Sequence, residues 1–111
     1  MPFDPTPIEL DTKPDSDVVR TLRGARALLT QGEHCWCKDR LFTTNGQLCA
    51  LGALSSARAF NGLDDLAYLE GSEALSEACG MYVANFNDLP TTTYRDILAL
   101  FDRAIAQQEA L

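Results

Sequence analysis

The amino-acid sequence predicts a small all-α domain of four helices, with a long ordered loop between the first and second helices. Apolar residues recur at spacings of three and four in four segments, as they do on the buried face of a helix. The segments with extended character are too short to build a sheet. A length of 111 residues and a hydrophobic fraction of 46% fit one core, around which four helices pack most simply.

The N-terminal residues differ from the rest of the chain. Residues 1–14 contain four prolines, which remove backbone donors and oppose helix, so they predict an extended N-terminal arm. Residues 15–111 are predicted to form a single helical domain. Its first helix begins at Asp15 or Ser16, both favourable N-cap residues. That helix is predicted to end just before Gly32, which is typical of a left-handed cap.

Three further helices are predicted after the loop, over residues 47–61, 72–85 and 93–109. The second helix is rich in small side chains, and Gly52 inside it costs about 1 kcal/mol relative to alanine. Close contact with a neighbouring backbone is the expected reason for that glycine. Residues 62–71 are predicted to be a connection with a short helical turn. Thr93 and Asp96 have the spacing of a capping box, which starts the fourth helix.

The chain is acidic, with 9 basic and 16 acidic residues and a net charge of −7. Such a surface neutralises few phosphates, so nucleic acid is not an expected partner. Residues 18–58 carry a net +4, whereas residues 59–111 carry −7. This asymmetry predicts that the basic middle packs beside the acidic C-terminal half. The first helix places three arginines together, as on a solvated face with a few ion pairs: Arg20, Arg23 and Arg26.

The sequence predicts a cytoplasmic protein that contacts no membrane. No run approaches the roughly eighteen apolar residues that a membrane helix needs. The N-terminus lacks the basic start and apolar stretch of a signal peptide. The oligomeric state is left open, because a helix rich in small residues packs equally well on a core or on a second copy.

Residues 33–47, called the Trp36 loop from here on, concentrate the rare side chains of the chain. The only histidine (His34), the only tryptophan (Trp36) and three of the four cysteines fall between positions 34 and 49. A connection of fifteen residues is long for a compact domain and indicates either function or disorder. Its cysteines and aromatic residues argue against disorder. Trp36 either fills a gap in the bundle or stays exposed as an interaction anchor.

The cysteines raise the possibility of a metal site. Tetrahedral Zn²⁺ prefers soft ligands, and the chain offers Cys35, Cys37 and Cys49, with His34 or Cys79 as a fourth group. Structural zinc sites usually use paired Cys-x-x-Cys knuckles, whereas this chain has one Cys-x-Cys and two isolated cysteines. No cofactor is therefore predicted, and zinc is kept as the alternative. Free, metal-bound and disulfide-linked cysteines all remain open.

Cys49 is the candidate nucleophile. It lies near the predicted start of the second helix, where unpaired amides lower the pKa of a thiol. His34 is then the candidate base, and Asn87 or Asp88 the group that orients it. The apolar neighbours of Cys49 predict the opposite, a buried and unreactive thiol. The sequence therefore assigns no catalytic residue and offers only these candidates.

Asn87 and Asp88 precede the break before the fourth helix. Residues of this type usually bond nearby backbone groups and shape the turn. The alternative is that one of them reaches across to Trp36, or to another part of the Trp36 loop, and locks that loop against the second and third helices. The predicted interaction residues are Trp36, Lys38, Arg40, Asn87 and Asp88.

Several motifs in this order are similar to those of an uncharacterised bacterial and phage family of small helical proteins. The resemblance spans residues 18–107. It is carried by Trp36, the phrase Cys49-Ala50-Leu51-Gly52-Ala53-Leu54, the phrase Val83-Ala84-Asn85-Phe86-Asn87-Asp88, and Thr93 followed by Ile97-Leu98-Ala99-Leu100-Phe101-Asp102-Arg103-Ala104-Ile105. The resemblance implies a helical fold and no activity. Cys35 and Cys37 lie outside the pattern.

These observations favour a non-catalytic binding module that contacts a protein partner through the Trp36 loop and the start of the second helix. The first alternative is a thiol- or metal-dependent protein that uses Cys35, Cys37 and Cys49. The second alternative is an acidic inhibitor or decoy that offers the carboxylates of residues 59–111 to a basic partner. No pattern in the sequence identifies a substrate or a reaction.

Overall fold

A computed structural model describes residues 15–111, and in this range the all-α prediction is confirmed. The helices are α1 (Asp17–Leu29), α2 (Ala50–Phe60), α3 (Asp65–Cys79), α4 (Val83–Asp88) and α5 (Tyr94–Glu109), with one 3₁₀ turn (Glu33–Cys35) between α1 and α2. Only isolated backbone bridges, and no strands, occur in the described range. The predicted extended arm over residues 1–14 lies outside the described residues.

The helix starts follow the capping residues of the sequence. The Ser16 side chain accepts a hydrogen bond from the amide of Val19 at 3.2 Å and caps α1. Thr93 and Asp96 form the predicted capping box at the start of α5. The predicted end of α1, just before Gly32, is wrong, because the helix already ends at Leu29. Gly32, with φ of 147°, instead opens the 3₁₀ turn.

The predicted third helix over residues 72–85 is wrong in its bounds. Asp64 accepts a hydrogen bond from the amide of Ala67, and α3 therefore begins earlier, inside the segment predicted as a connection. Gly80 adopts φ of 77° and ends α3 as a left-handed cap. The apolar spacing continues past Gly80 only because the separate short helix α4 turns its own apolar face to the same core.

The four longer helices surround one core, and α4 lies against α2 and α3. The largest fully buried hydrophobic side chains come from every helix: Leu22, Leu29, Leu54, Leu75, Val83, Ile97, Leu100 and Phe101. Burial of each such side chain contributes about 1.5–3 kcal/mol. None of the helices within residues 15–111 is both long and apolar enough to cross a bilayer.

Ion pairs join the basic and acidic parts of the chain as predicted. Arg26 on α1 reaches Asp102 on α5 at 2.6 Å, and Arg23 pairs with Glu109 at the end of the same helix. Arg23 also lies 3.1 Å from Asp15. Exposed pairs of this kind contribute about 0–1 kcal/mol each. Their main effect is that the arginines of α1 are neutralised within the protein.

Candidate functional site

Asn87 on α4 is the polar centre of the molecule. Its side chain is only 1% exposed and makes four hydrogen bonds. The Oδ1 atom accepts from Trp36 Nε1 at 2.8 Å and from the amide of Ala50 at 3.1 Å. The Nδ2 group donates to the carbonyl of Cys37 at 3.1 Å and to Asp88 Oδ1 at 2.9 Å. These bonds use both lone pairs and both donors of the amide.

The bonds of Asn87 settle which of its two predicted roles applies. It reaches across to the Trp36 loop through Trp36 and Cys37, and it supplies an acceptor for the first amide of α2. That amide has no partner within its own helix. A single buried side chain therefore joins the loop, α2 and α4.

Trp36 is partly buried against the core, between the two roles predicted for it. Its ring lies 6.5 Å from the ring of Tyr94. Lys38 Nζ lies 5.4 Å from the centre of the indole, within the range of a cation–π interaction. Lys38 also donates to the carbonyl of Leu89 after α4. Both predicted interaction residues are thus engaged inside the protein.

Asp88 holds the next part of the Trp36 loop. Its Oδ1 atom accepts from the amide of Asp39 at 2.8 Å, in addition to the bond from Asn87. Asp39 has φ of 70°, a backbone conformation that costs a non-glycine residue roughly 1–2 kcal/mol. The bond from Asp88 therefore fixes a tight bend in the loop, immediately before Arg40.

The Trp36 loop is also paired with itself and packed against α2. Leu48 forms isolated bridges with both Trp36 and Phe42, and Gly46, with φ of 86°, makes the predicted turn. A Cβ atom on Gly52 would lie 2.0 Å from the carbonyl oxygen of Leu41. Only glycine permits this approach, so the predicted close backbone contact of Gly52 is made with the loop.

A small cavity of about 180 Å³ opens beside this contact. Its lining includes Leu41 from the loop, Leu51 from α2, and Ala84, Asn87 and Asp88 from α4. Cys49 and the exposed residues Asp39 and Arg40 complete it. The cavity thus has an apolar wall and a charged rim.

The thiol of Cys49 is 6% exposed at the N-cap of α2, where it accepts from the amide of Gly52 at 3.4 Å. Burial raises the pKa of Cys49, and the amides of Gly52 and Leu51 oppose this rise without overcoming it. Burial also raises the pKa of Cys37, with the charge of a Cys49 thiolate as the next cause. A catalytic nucleophile needs a lowered pKa, so this geometry favours a buried thiol that is mostly protonated and slow to react at neutral pH.

The other candidate ligands are not gathered into one cluster. The exposed His34 ring lies over Gly32, and Cys79 Sγ lies 3.2 Å from the carbonyl of Met81 beyond α3. All four cysteines are free thiols. Among residues 15–111, no three His, Cys, Asp or Glu side chains are arranged to hold a metal ion.

Two exposed residues of the loop were missed as site candidates. Leu41 and Phe42 have 48% and 66% of their surface in solvent, although both are large apolar side chains. Phe42 forms an isolated antiparallel bridge with Leu48. A two-residue apolar pair gives no periodicity, so the sequence does not reveal that both face solvent.

The buried thiol of Cys49 predicts a loss of stability in alkali. The pKa of Cys49 in the folded protein is raised above the ordinary 9.0. The buried thiol therefore makes its full contribution to the free energy of unfolding below that pH. The contribution is then lost as the pH rises through the folded-state pKa, since the unfolded chain ionises first. Urea unfolding between neutral pH and pH 10 will test this in the wild type and in Cys49→Ser, whose hydroxyl keeps the N-cap. If the difference in free energy of unfolding between the wild type and Cys49→Ser does not change with pH, this prediction is wrong.

The fold and this site define a class: a small all-α protein in which one buried asparagine fixes a long loop to two helices. The chain matches, over residues 13–107, the profile of a family of unknown function, DUF6197, and it belongs to that family. Neither a curated protein nor a solved structure matched the chain. The resemblance to an uncharacterised family of helical proteins is thus confirmed at the level of the family.

Proposed function

We propose that this protein is a non-catalytic binding module that contacts a protein partner through the Trp36 loop and the start of α2. The observation that carries the proposal is the exposure of Leu41 and Phe42 on a loop that is held in place on both sides. Large apolar side chains in solvent, next to a cavity with an apolar wall, are typical of a contact surface.

The loop is preorganised for binding. Asn87 and Asp88 fix its first half, and the approach of Gly52 to Leu41 fixes its second half. A partner therefore does not have to order this backbone, which otherwise costs binding free energy. In this proposal Asn87, Asp88, Trp36 and Lys38 act as positioning residues for the loop.

The chemistry of the surface describes the partner. The cavity beside Leu41 and Leu51 fits one apolar side chain. Arg40 is exposed at its rim and makes no ion pair with a carboxylate of residues 15–111. Arginine is enriched among residues that dominate binding energy. We therefore infer a protein partner that presents an apolar side chain beside a carboxylate.

Site-specific photo-crosslinking in the native cells tests the proposal. A photoreactive amino acid in place of Phe42 is expected to capture a partner protein, whereas the same group in place of the exposed Gln107 on α5 is not. Leu41→Asp should then weaken binding of the purified partner by about tenfold or more, because it desolvates a charge at the contact. Phe60→Asp, at a residue 89% exposed on α2, is the matched control. Equal capture from positions 42 and 107 would contradict the proposal.

An acidic face on α3 supports a second candidate function, an inhibitor or decoy for a basic partner. Glu70, Glu73 and Glu77 lie on one exposed face of α3 and border a shared groove. Within residues 15–111, none of these three glutamates forms an ion pair, whereas Asp102 and Glu109 on α5 pair with arginines of α1. Salt-sensitive capture from a photoreactive group in place of Glu73, with none from position 42, would favour this function over the first.

A further inference from the structure

Backbone pairing places Cys37 beside Cys49. The amide of Cys37 donates to the carbonyl of Leu48 at 3.1 Å, and the amide of Leu48 donates to the carbonyl of Cys35 at 2.8 Å. These two bonds make a parallel bridge between Trp36 and Leu48. One residue further along both segments, Cys37 and Cys49 are neighbours across the pair.

This register favours a disulfide between the two cysteines. Paired segments lie about 4.8 Å apart, and residues one step beyond the bridge in each segment point to the same side. Disulfides need Cα atoms about 4.4–6.8 Å apart and side chains that face each other. Cys49 has the extended backbone of a helix N-cap, with φ of −84° and ψ of −179°. The register therefore brings the two cysteines to neighbouring places on the same side of the paired segments, which is the arrangement that a disulfide needs.

The Cys37 sulfur and the Cys49 backbone also contact adjacent residues of the loop. Cys37 Sγ lies 3.5 Å from the carbonyl oxygen of Arg40, and the amide of Cys49 donates to the carbonyl of Leu41, the next residue, at 3.0 Å. The pKa of Cys37 responds to the charge of Cys49, which agrees with this proximity. Cys79 lies elsewhere, beyond the end of α3.

We propose that Cys37 and Cys49 form a redox-modification site, in which a hydroperoxide converts the two thiols into an intramolecular disulfide. The thiolate of Cys37, the more exposed of the pair, attacks a peroxide oxygen. An S–O bond forms, the O–O bond breaks, and water or an alcohol leaves. The Cys49 sulfur then attacks the Cys37 sulfur, and the hydroxide that leaves takes the thiol proton as water. Two thiols lose two electrons, and the peroxide gains them.

The disulfide closes a ring that holds the exposed part of the Trp36 loop. Arg40, Leu41 and Phe42 lie inside this ring, so oxidation removes conformational freedom from the surface that carries the proposed contact. The reaction is slow at neutral pH, because both thiols are held mostly protonated. This inference does not depend on the binding role, since the pairing of Cys37 with Cys49 is a property of the loop itself.

Oxidation of the purified, reduced full chain with hydrogen peroxide tests the site. The intact mass is expected to fall by two hydrogen atoms. Trypsin cuts after Lys38 and Arg40, so Cys37 and Cys49 fall in different peptides, which a disulfide will join. The melting temperature of the oxidised chain is expected to rise by about 5–10 °C above that of the reduced chain.

Serine variants assign the link to its two residues. Cys37→Ser and Cys49→Ser should abolish the mass loss and the rise in melting temperature, whereas Cys35→Ser and Cys79→Ser should keep both. The hydroxyl of Cys49→Ser retains the cap of α2, so this variant is expected to fold. A link through Cys35 or Cys79 would overturn the proposal. Addition of oxygen to single cysteines with no disulfide would also overturn it. So would a folded chain that does not react under conditions in which the urea-unfolded chain is oxidised.

Discussion

Asn87→Ala is expected to destabilise the protein by about 3–4 kcal/mol, which lowers the melting temperature by roughly 15 °C. The substitution leaves Trp36 Nε1, the amide of Ala50 and the carbonyl of Cys37 without the partner that they have in the wild type. Each buried polar group that loses its partner costs about 1–3 kcal/mol. Thermal and urea unfolding of the wild type and the variant measure the loss.

A neighbour on the same helix is the control for this experiment. Asn85 also lies on α4 but is exposed, and Asn85→Ala is expected to change stability by less than about 0.5 kcal/mol. Trp36 emission reports on the loop directly and should shift to longer wavelength in Asn87→Ala alone. If Asn87→Ala has the same emission and the same stability as the wild type, Asn87 does not hold the loop.

Gly52→Ala is expected to cost about 2–3 kcal/mol, although alanine is the better helix former by about 1 kcal/mol. The new methyl group would meet the carbonyl oxygen of Leu41 at 2.0 Å. A backbone carbonyl cannot rotate away as a side chain does, so either the loop or α2 must shift. The loss of free energy of unfolding should therefore come with increased amide exchange over the Trp36 loop.

Gly71→Ala on α3 is the matched comparison for Gly52→Ala. Its methyl group would lie 3.0 Å from a terminal methyl of the Leu54 side chain, a contact that a shift of a few tenths of an ångström relieves. The gain in helix propensity then offsets the tighter contact, so a change within about 1 kcal/mol is expected. Equal losses at positions 52 and 71 would refute the view that the loop carbonyl sets the cost.

The sequence predicted the helices because their buried faces repeat with the period of the helix. It could not separate α3 from α4, since the apolar spacing continues across Gly80 and only the left-handed backbone there divides them. Ser16, Thr93 and Asp96 marked helix starts correctly because capping depends on neighbours in the chain. Local signals thus carried most of the fold.

The site was harder to predict because its contacts join distant parts of the chain. The sequence offered Trp36 as a partner for Asn87 or Asp88 but could not choose between these two residues, and it did not identify the Leu41 carbonyl as the neighbour of Gly52. The pKa of Cys49 depends on whether burial or the amides of α2 have the larger effect. In the structure burial has the larger effect, and the pKa is raised. The solvent exposure of Phe42 has no signature in composition.

The bonds from Asn87 to Trp36 and Cys37 span about fifty positions of the chain. Such long-range links form late in folding, because a large chain entropy has to be lost before they contribute. On the ribosome, the indole has no amide partner until α4 has been synthesised and has left the exit tunnel. Leu41 and Phe42 are therefore held in their final positions only after α4 has emerged.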